Sequence, residues 1–547
     1  MVTSSAHGGA CYGLGFYPSL LHRFSSMENI CKMNFLSPLL TVSAGLLALL
    51  LLYRLWKTNV RGNLPPQAAG AWPLIGHLPL LSGQSPVYRV LGALADKYGP
   101  ILTIRIGVYP AVVISNWEAV KECFTTNDRV LANRPISNAG KHLGYNYAAF
   151  GFIPANPYWR EIRKLVVVEV LSSRRLEALK HVQVSELHTS INELYKSIQE
   201  SPGKVVISDW IEQLTLNIIV MMIAGKRYAE GSKDGAESQK ARYFRKVTKE
   251  FMHLSGRFVV SEAIPVLPLE WFDFQGHVKS MKRVSKEVGD VVESWIEEHM
   301  KGTSGNTEQD FIDVMLAKID DRYTSYGHTR ETIIKATVMN LILAGSDTTS
   351  VHLTWLLSIL LNNKPIMQRA QEEIDLKVGK ERWVDESDIT NLVYLQAIVK
   401  ETLRLYPPGP LSVPHEAMED CLVNGYLIPK GARVLVNLWK LHRDPRIWDE
   451  PDKFIPERFL TSHAEVDFTG QHFEFVPFGS GRRSCPGITF AMQVTHLTLA
   501  RLLQGFDFAT PENIPVDMTE GQGITMPKAT PLEVVIALRL PGLFCKN

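Results

Sequence analysis

The chain has 547 residues, of which 45% are hydrophobic and 21% are charged, so it is long and apolar enough to bury a large core. Its 58 lysines and arginines nearly balance its 56 aspartates and glutamates, and a formal net charge of +2 gives no reason to expect a nucleic-acid-binding surface or an acidic partner. The cysteines are scattered without CxxC pairs, which argues against a disulfide framework and a cysteine-rich zinc site. They are Cys11, Cys31, Cys123, Cys421, Cys485 and Cys545. The sequence therefore predicts a folded protein with reduced thiols.

An uncharged, apolar run at residues 35–53 is long enough to cross a hydrocarbon core as one helix. The alternative is a cleaved signal peptide, but the run is long for one, and cations at 54–61 follow it instead of a small-residue cleavage site. We therefore predict a single transmembrane anchor, and the slight excess of cations after it places the following chain in the cytosol. Three interpretations of residues 1–34 stay open. They could be a transit-like leader, a luminal extension, or residues that precede the true translation start at Met27 or Met33.

Residues 54–78 combine cations with prolines, which fix φ and lack a backbone donor, so we predict a stiff, non-helical hinge. Two apolar, β-branched stretches within 101–115 flank a turn and predict a small hairpin. Helical periodicity then dominates to about residue 404, without repeats or a second linker. We therefore predict one mainly α domain with minor β sheets over residues 79–547.

The most informative predicted helix covers residues 331–363 and is apolar almost all round, which is typical of a buried helix. A second membrane span is the alternative, but Asp347 and His352 would be costly in lipid. The polar stretch 344–349 interrupts this helix near its middle. Its small residues would let a flat object approach the backbone, while Asp347 and Thr348 offer a carboxyl group and a hydroxyl for proton transfer. Serine and threonine also bend helices by bonding to their own backbone, so this stretch alone leaves a purely structural role open.

Cys485 lies between a glycine-rich turn and the predicted start of a helix at Pro486. A helix N-terminus favours a thiolate, and flanking glycines allow backbone N–H groups to point at the sulfur. These glycines are Gly479, Gly481 and Gly487. A lone cysteine cannot hold zinc or an iron–sulfur cluster, but it can be the single axial ligand of haem iron. The alternative, a buried structural cysteine, explains none of the surrounding pattern.

The segment 478–487, FGSGRRSCPG, resembles the haem-binding signature of the cytochrome P-450 family, and the rest of the chain is similar to that family in the expected order. The resemblance implies a mainly α cytochrome P-450 fold preceded by a single N-terminal transmembrane helix. It also implies haem b (heme b) as the cofactor, with Cys485 as the axial ligand of its iron. The stretch 344–348 resembles the oxygen-activating part of the family's long central helix, which implies that Asp347 and Thr348 deliver protons.

Two further sets of residues follow from the resemblance. Glu401 and Arg404 match the family's Glu-x-x-Arg motif, and Arg458 matches the arginine that completes this network, which implies a role in fold stability. Residues three apart share a helix face, and a buried network that loses one member leaves an unpaired charge. The cofactor contacts implied by the family pattern are Trp159, Arg163, His415, Arg483, Phe478, Gly479 and Gly487. Taken singly, each basic residue in this set could equally be an ordinary surface group.

The resemblance implies a monooxygenase that uses O2 and takes two electrons per turnover. The anchor and one domain account for the whole chain, so the implied redox partner is a separate, membrane-bound NADPH-cytochrome P-450 reductase. We expect a single-pass protein of the endoplasmic reticulum membrane, with its catalytic domain in the cytosol and no nucleic-acid partner.

Three stretches, 65–78, 253–277 and 516–534, are similar to plant enzymes of family eighty-two, which act on specialised metabolites. We favour a small apolar phenolic or flavonoid substrate, with terpenoid or alkaloid oxidation by the same chemistry as the alternative. Analogy predicts a mostly apolar pocket. Its predicted residues are Leu143, Phe150, Leu341, Leu411, Val413, Ile524 and Met526.

Two functions of other classes stay open. One is a haem-thiolate isomerase or dehydratase, and the other is a non-catalytic haem protein or scaffold. Neither needs the pair of proton-transfer groups that Asp347 and Thr348 provide. The sequence therefore favours the monooxygenase.

Overall fold

The computed structural model describes residues 43–45, 62–201, 203–228, 235–257, 259–263, 273, 275–302 and 309–544. The chain divides into two compact units, Met1–Asn63 and Leu64–Asn547. In the first unit, the described residues 43–45 are helical. The leader predicted over 1–34 and the rest of the anchor predicted over 35–53 lie outside the described residues and stay predictions.

Helices make up most of the second unit. Its described α-helices are, in chain order, Leu78–Leu81 (α1), Val87–Tyr98 (α2), Trp117–Phe124 (α3), Pro157–Leu165 (α4), Ser173–Ala178 (α5), Lys180–Glu200 (α6), Ile207–Ala224 (α7), Gly235–Ser255 (α8), Val260–Ala263 (α9), His277–Met300 (α10), Phe311–Lys318 (α11), Asp321–Thr324 (α12), Arg330–Asn362 (α13), Lys364–Lys377 (α14), Val393–Leu405 (α15), Leu438–Leu441 (α16) and Ile488–Gly505 (α17). Short π-helical turns at Ala139–Leu143 and Val166–Val170, and 3₁₀ turns such as Pro456–Phe459 and Gly481–Arg483, connect them.

The strands form three small sheets. They are Ile101–Ile106 (β1), Tyr109–Ile114 (β2), Lys204–Val206 (β3), His415–Glu416 (β4), Cys421–Val423 (β5), Tyr426–Ile428 (β6), Arg433–Val436 (β7), Phe506–Ala509 (β8) and Glu533–Leu538 (β9). The first sheet has the order β1-β2-β7-β4, the second β3-β9-β8, and β5 pairs with β6. Strands β1 and β2 pair antiparallel from Ile101 opposite Ile114 to Ile106 opposite Tyr109, which confirms the predicted hairpin. The mainly α fold with minor sheets is therefore confirmed.

Helix α13 is the centre of the core. It is buried along most of its length, and helices α7, α8, α10, α15 and α17 pack around it. The Thr329 side chain caps its first turn by accepting a hydrogen bond from the N–H of Thr332 at 3.2 Å. Among the described helices, α7 has the length and composition to cross a membrane, but 72% of it is buried. Both helices are mostly apolar, as expected where neighbouring elements cover most of their surface.

The proline-rich segment before α1 lies against the first sheet. Thr103 of β1 donates its N–H to the carbonyl of Pro66 at 2.8 Å, and Ala68 donates to the carbonyl of Thr103 at 3.0 Å. Residues 62–77 contain no helix, as expected where prolines remove backbone donors. The part of the predicted hinge that the structure describes is thus hydrogen-bonded to β1.

Candidate active site

Cys485 lies in the loop before α17. Its N–H donates to the carbonyl of Phe478 at 2.9 Å, and its Sγ accepts a hydrogen bond from the N–H of Gly487 at 3.3 Å. Helix α17 begins at Ile488, two residues later than predicted, because Pro486 and Gly487 form the turn that brings this N–H to the sulfur. A backbone donor at this distance favours a thiolate.

Opposing effects act on the pKa of the Cys485 thiol. The Cys485 side chain is accessible, yet protein surrounds the sulfur closely enough that burial raises the pKa of the thiol. The N–H of Gly487 and the charge of Arg163 lower this pKa. Arg163 reaches the same loop, where its Nη2 donates to the carbonyl of Ser484 at 2.7 Å. A metal ion that replaced the thiol proton would leave a thiolate facing both of these groups.

The turn before the cysteine depends on glycine. Gly479 and Gly481 have φ of 71° and 66°, which side chains other than glycine rarely adopt. A Cβ on Gly481 would also lie 2.3 Å from a carboxylate oxygen of Asp128. That carboxylate accepts a hydrogen bond from the backbone N–H of Arg482 at 2.9 Å and pairs with its guanidinium at 3.2 Å. Gly481 therefore allows the loop to close against Asp128.

A cluster of arginines lies beside the Cys485 loop: Arg134, Arg163 and Arg483. In the described part of the chain, none of the three pairs with a carboxylate, and each donates to backbone carbonyls instead. Burial, followed by repulsion within the cluster, lowers the pKa of Arg134 to about 9 and that of Arg483 to about 8. Burial and two of these arginines hold the pKa of His415 well below its usual value. Buried positive charge without an acid partner suits an anionic ligand.

Two other predicted cofactor contacts, Trp159 and His415, lie next to the arginine cluster. Trp159 lies on α4, whose first turn is capped by the Asn156 side chain, which accepts from the N–H of Trp159 at 2.8 Å. The guanidinium carbon of Arg483 lies 3.9 Å from the centre of the Trp159 ring. His415 donates through Nδ1 to the carbonyl of Leu131 at 2.7 Å. The Trp159 ring therefore helps to position Arg483, and the Leu131 carbonyl helps to position His415.

Sequence reasoning missed Arg134. Its Nη1 donates to the carbonyls of Val413 and Pro414 at 2.8 Å each, and its buried Nε has no partner among the described residues. No motif surrounds this arginine in the sequence, and it joins the cluster only because the chain folds back next to β4. The signal that identifies it is its burial without a counter-ion.

The small residues of α13 lie beside the first turn of α17, the helix that follows the cysteine loop. Ala344 is exposed in the middle of this otherwise buried helix, and the Oγ1 of Thr348 donates to its carbonyl at 2.6 Å. A Cβ on Gly345 would lie 3.4 Å from the ring of Phe490, which follows Cys485 by five residues. Ala344 and Cys485 are thus both accessible, and the helix that carries Ala344 packs against the helix that follows Cys485.

Asp347 has an unusual environment on α13. Its carboxyl group hydrogen-bonds to Thr525, and its buried Oδ2 has no protein partner among the described residues. Burial raises the pKa of Asp347 to about 6, with a further upward contribution from Glu212 and opposing contributions from Thr525 and Lys249. A carboxyl group that titrates this close to neutral pH can both hold and release a proton. Sequence reasoning did not identify Glu212, Lys249 or Thr525.

The predicted stabilising network is assembled in the core. Glu401 and Arg404 have fully buried side chains, and the carboxylate accepts from Arg404 Nε at 2.7 Å and Nη2 at 2.8 Å. It also accepts from Arg458 Nε at 3.1 Å and from the N–H of Ile455 at 2.9 Å. The guanidinium of Arg404 lies 5.3 Å from the centre of the Trp448 ring. Every member depends on the others for its partners.

The residues predicted for the substrate pocket lie in different surroundings. Those buried in the core are Leu143, Phe150, Leu341 and Met526. Val413 is 48% exposed, Ile524 is half-buried, and Leu411 packs against the apolar cluster between α2 and the first sheet. Met526 is pinned by its backbone, since its N–H donates to Pro408 at 2.9 Å. This pocket stays a prediction.

A single sulfur ligand suits the iron of haem, and arginines without acid partners suit its two carboxylates, so the residues present fit this cofactor. Fold and site together define a haem-thiolate protein. Residues 65–533 match the family model described as Cytochrome P450, and the chain belongs to that family. It is therefore a haem-thiolate monooxygenase, a class that takes its electrons from a reductase.

Similar proteins agree with this assignment. Vinorine hydroxylase of Rauvolfia serpentina is 55% identical over 526 residues, which cover 93% of this chain and 99% of that protein. A nicotine N-demethylase of Nicotiana tomentosiformis is 51% identical and covers 90% and 97%, and a xanthotoxin 5-hydroxylase of Arabidopsis thaliana is 51% identical and covers 88% and 94%. The last two are named as members of family 82, so the predicted resemblance to plant enzymes of that family is confirmed.

A solved structure shows the same fold. A zebrafish cytochrome P450 with abiraterone superimposes with a TM-score of 0.68 at 25% identity, and the match covers 83% of this chain and 99% of that one. The predicted cytochrome P-450 fold is confirmed.

Proposed function

We propose that this chain hydroxylates, or otherwise oxidises, a small apolar plant specialised metabolite with O2 and with electrons passed from NADPH by a reductase. The observation that carries the proposal is the Cys485 sulfur, which accepts the Gly487 N–H at 3.3 Å beside arginines that pair with backbone carbonyls and with no acid among the described residues. When bound, haem supplies the oxidising chemistry, because donation from a thiolate favours cleavage of the O–O bond.

The cofactor would be held by two sets of residues. Cys485 would bind the iron, with the N–H of Gly487 and the charge of Arg163 stabilising its thiolate. The arginine cluster would pair with the haem carboxylates, and this pairing would relieve the mutual repulsion that lowers the pKa of Arg134 and Arg483.

Asp347 and Thr348 would handle protons. The Thr348 hydroxyl donates to the Ala344 carbonyl, and it can donate to a ligand by rotating away from that bond. With a pKa of about 6, the Asp347 carboxyl group can take up and release protons near neutral pH. The two residues are adjacent on α13, but neighbouring side chains of a helix do not face each other, so a proton would pass between them through water.

For the substrate, we favour a phenolic or flavonoid ring. The predicted pocket is mostly apolar, and a xanthotoxin 5-hydroxylase is among the relatives at 51% identity. A second candidate is an alkaloid, favoured by vinorine hydroxylase at 55% and a nicotine N-demethylase at 51% identity. Oxidation of a terpenoid by the same chemistry is the remaining alternative.

A screen in microsomes tests the substrate class. The chain would be co-expressed with NADPH-cytochrome P450 reductase and supplied separately with xanthotoxin, flavonoids, vinorine, nicotine and terpenoids, with Cys485→Ala as the matched inactive control. We expect an NADPH-dependent hydroxylated product from a phenolic or flavonoid. Conversion of vinorine or nicotine alone would replace the first candidate by the second. Product formation without NADPH would contradict the monooxygenase.

We also propose a single-pass location in the endoplasmic reticulum membrane, with the catalytic domain in the cytosol. The uncharged run at 35–53 and the cations at 54–61 support it. The full chain should resist extraction of microsomes by alkaline carbonate, and protease added outside should digest the domain. Complete release by carbonate would contradict the anchor.

A further inference from the structure

A small polar cavity lies beside Asp347, between helices α7, α8 and α13. It has about 30 Å³ of space for the centres of water molecules, which is enough for one or two waters. Its charged lining residues are Glu212, Arg245, Lys249 and Asp347, and threonine and serine hydroxyls complete the polar part of the wall. A cavity of this size and polarity holds water where the protein leaves polar atoms unpaired.

The inner end of the cavity is the Asp347 carboxyl group. Its Oδ2 is buried and has no partner in the described part of the chain. Such an atom costs free energy unless water hydrogen-bonds to it. Water in the cavity can provide this hydrogen bond.

The outer end is an ion pair that reaches solvent. Lys249 Nζ lies 2.5 Å from Glu212 Oε2, and the two side chains are 52% and 25% exposed. Both residues line the same cavity as Asp347. Burial raises the pKa of Glu212, and the Lys249 charge opposes this shift. The cavity therefore has a carboxyl group at each end and a solvent-exposed ammonium group at its entrance.

We propose that Glu212 and Lys249 form the entrance of a proton path that reloads Asp347 from solvent through water in this cavity. The proposal rests on the proposed function, in which Asp347 supplies protons for the reduction of O2. Monooxygenation releases one oxygen atom as water and consumes protons in every turnover, so Asp347 must be reprotonated each time.

The transfer balances without an added reactant. A solvent proton binds the Glu212 carboxylate when its ion pair with Lys249 opens. The Glu212 O–H then gives its proton to a cavity water, and that water gives one of its own protons to Asp347. One O–H bond forms at Asp347 for each one broken at Glu212, no electron moves, and Lys249 keeps its charge throughout.

Glu212→Gln keeps the size of the side chain but removes its ability to relay a proton. The matched control is Glu250→Gln on α8, because Glu250 pairs with Arg283 at the surface and does not line the cavity. Haem content and thermal midpoint are measured for both variants, and Glu212→Asp serves as the conservative variant that should restore function if Glu212→Gln folds poorly.

The first readout needs no substrate. Infrared spectra of the oxidised holoprotein are titrated with pH, and the C=O band of protonated Asp347 is identified by its loss in Asp347→Asn. In Glu212→Gln, this band should titrate at lower pH than in wild type, because a negative neighbour is gone while Lys249 remains. In Glu250→Gln it should be unchanged. An unshifted band in Glu212→Gln would overturn the electrostatic link between the two ends.

The second readout is product formed per NADPH, with xanthotoxin, nicotine or vinorine, whichever wild type converts. Glu212→Gln should lower this ratio on the order of 10-fold, less than loss of the acid itself, because water can reach Asp347 more slowly by other routes. Product formation driven by added hydrogen peroxide should stay at the wild-type level, because peroxide brings its own protons. An equal loss with peroxide would indicate structural damage and overturn the proposal.

Asp347→Asn separates this inference from the proposed function. If Asp347→Asn lowers product per NADPH while Glu212→Gln matches wild type, the path through Glu212 is wrong and the function stands. If Asp347→Asn itself matches wild type, the role of Asp347 in the proposed function fails.

Discussion

Rotation of the Thr348 side chain would move its hydroxyl from a backbone carbonyl to a bound ligand. Its Oγ1 donates to the Ala344 carbonyl at 2.6 Å, so its hydroxyl is satisfied without a ligand, as is common for threonine within a helix. Asp347, its neighbour, has a buried oxygen without a protein partner and a pKa of about 6. The two side chains therefore differ: the hydroxyl can position a proton, whereas the carboxyl group can supply one.

Thr348→Ala should uncouple the enzyme. Haem content and substrate binding should stay near wild type, because the side-chain hydrogen bond of Thr348 in the described structure is to its own helix. Product per NADPH should fall by about 100-fold, the lower end of the range for loss of a proton-transfer group, with the reductant appearing as hydrogen peroxide. Thr348→Ser, which keeps the hydroxyl, is the control. Unchanged product per NADPH in the alanine variant would contradict a role of Thr348 in proton transfer.

How far the site follows from the sequence depends on the residue. Cys485 could be identified because glycines, arginines and a helix start surround it within a short stretch. Arg134 could not, because its importance comes from burial next to two other arginines that lie far away in the chain. Glu212 could not for the same reason, since α7 and α13 must pack before it shares a cavity with Asp347. Chemistry encoded locally is predictable, and chemistry assembled by packing is not.

At the scale of elements, the Glu401 network joins α15 to the loop that follows α16. Arg404 also donates to the carbonyls of His442 and Pro451 at 2.8 and 2.7 Å, so one side chain holds two distant backbone segments. The motif spacing predicted the pair on one helix face, and Arg458 arrives from a 3₁₀ turn. The carbonyl partners could not be predicted, because every residue carries a backbone carbonyl and residue type does not show which one accepts a given hydrogen bond.

Glu401→Ala or Arg404→Ala should abolish the folded holoprotein. Removing one partner leaves the other charge buried and unpaired, which costs about 3–5 kcal/mol, a large part of the stability of a folded domain. Asp290→Ala, which breaks an exposed pair with Lys286 on α10, is the control and should leave the haem yield unchanged. Normal yield from either network variant, measured by haem absorbance per protein, would contradict the buried network.

A second buried pair links α10 to α11. His299 Nδ1 faces the carbonyl of Trp295 at 2.7 Å, and its Nε2 faces an oxygen of Asp310 at 2.7 Å. Both neighbours accept hydrogen bonds, so both ring nitrogens carry protons and the imidazole is charged. Burial opposes this charge, but the Asp310 carboxylate and the Trp295 carbonyl, with a contribution from Asp313, outweigh it and raise the pKa of His299.

This pair should make stability depend on pH. Because the folded pKa lies above the unfolded value, the contribution is complete below about pH 6.5 and is lost as pH rises through the folded pKa. His299→Gln should therefore lower the thermal midpoint most at about pH 6, and the gap to wild type should narrow as pH rises. A gap that widens with pH would show that the buried histidine is neutral. Wild type and variant would be compared as holoproteins across the same pH series.

At the scale of the whole molecule, the long central helix and the hairpin of β1 and β2 could be predicted, because periodicity and turns are local properties. The parallel pairing of β2 with β7 could not, since these strands are separated by most of the helical domain. The same holds for the second sheet, where β3 pairs with β9 near the end of the chain. Long-range pairings of this kind bring the cysteine loop, the arginine cluster and α13 to one place.

The central claim is that Cys485 binds haem iron as a thiolate. The direct measurement is a carbon-monoxide difference spectrum of the dithionite-reduced protein in microsomes, comparing wild type with Cys485→Ala and with Cys123→Ala, a buried cysteine on α3. Wild type and Cys123→Ala should show the red-shifted Soret band of a thiolate-bound haem, and Cys485→Ala should lack it. Folded wild-type protein without this band, or a Cys485→Ala variant that retains it, would contradict the account.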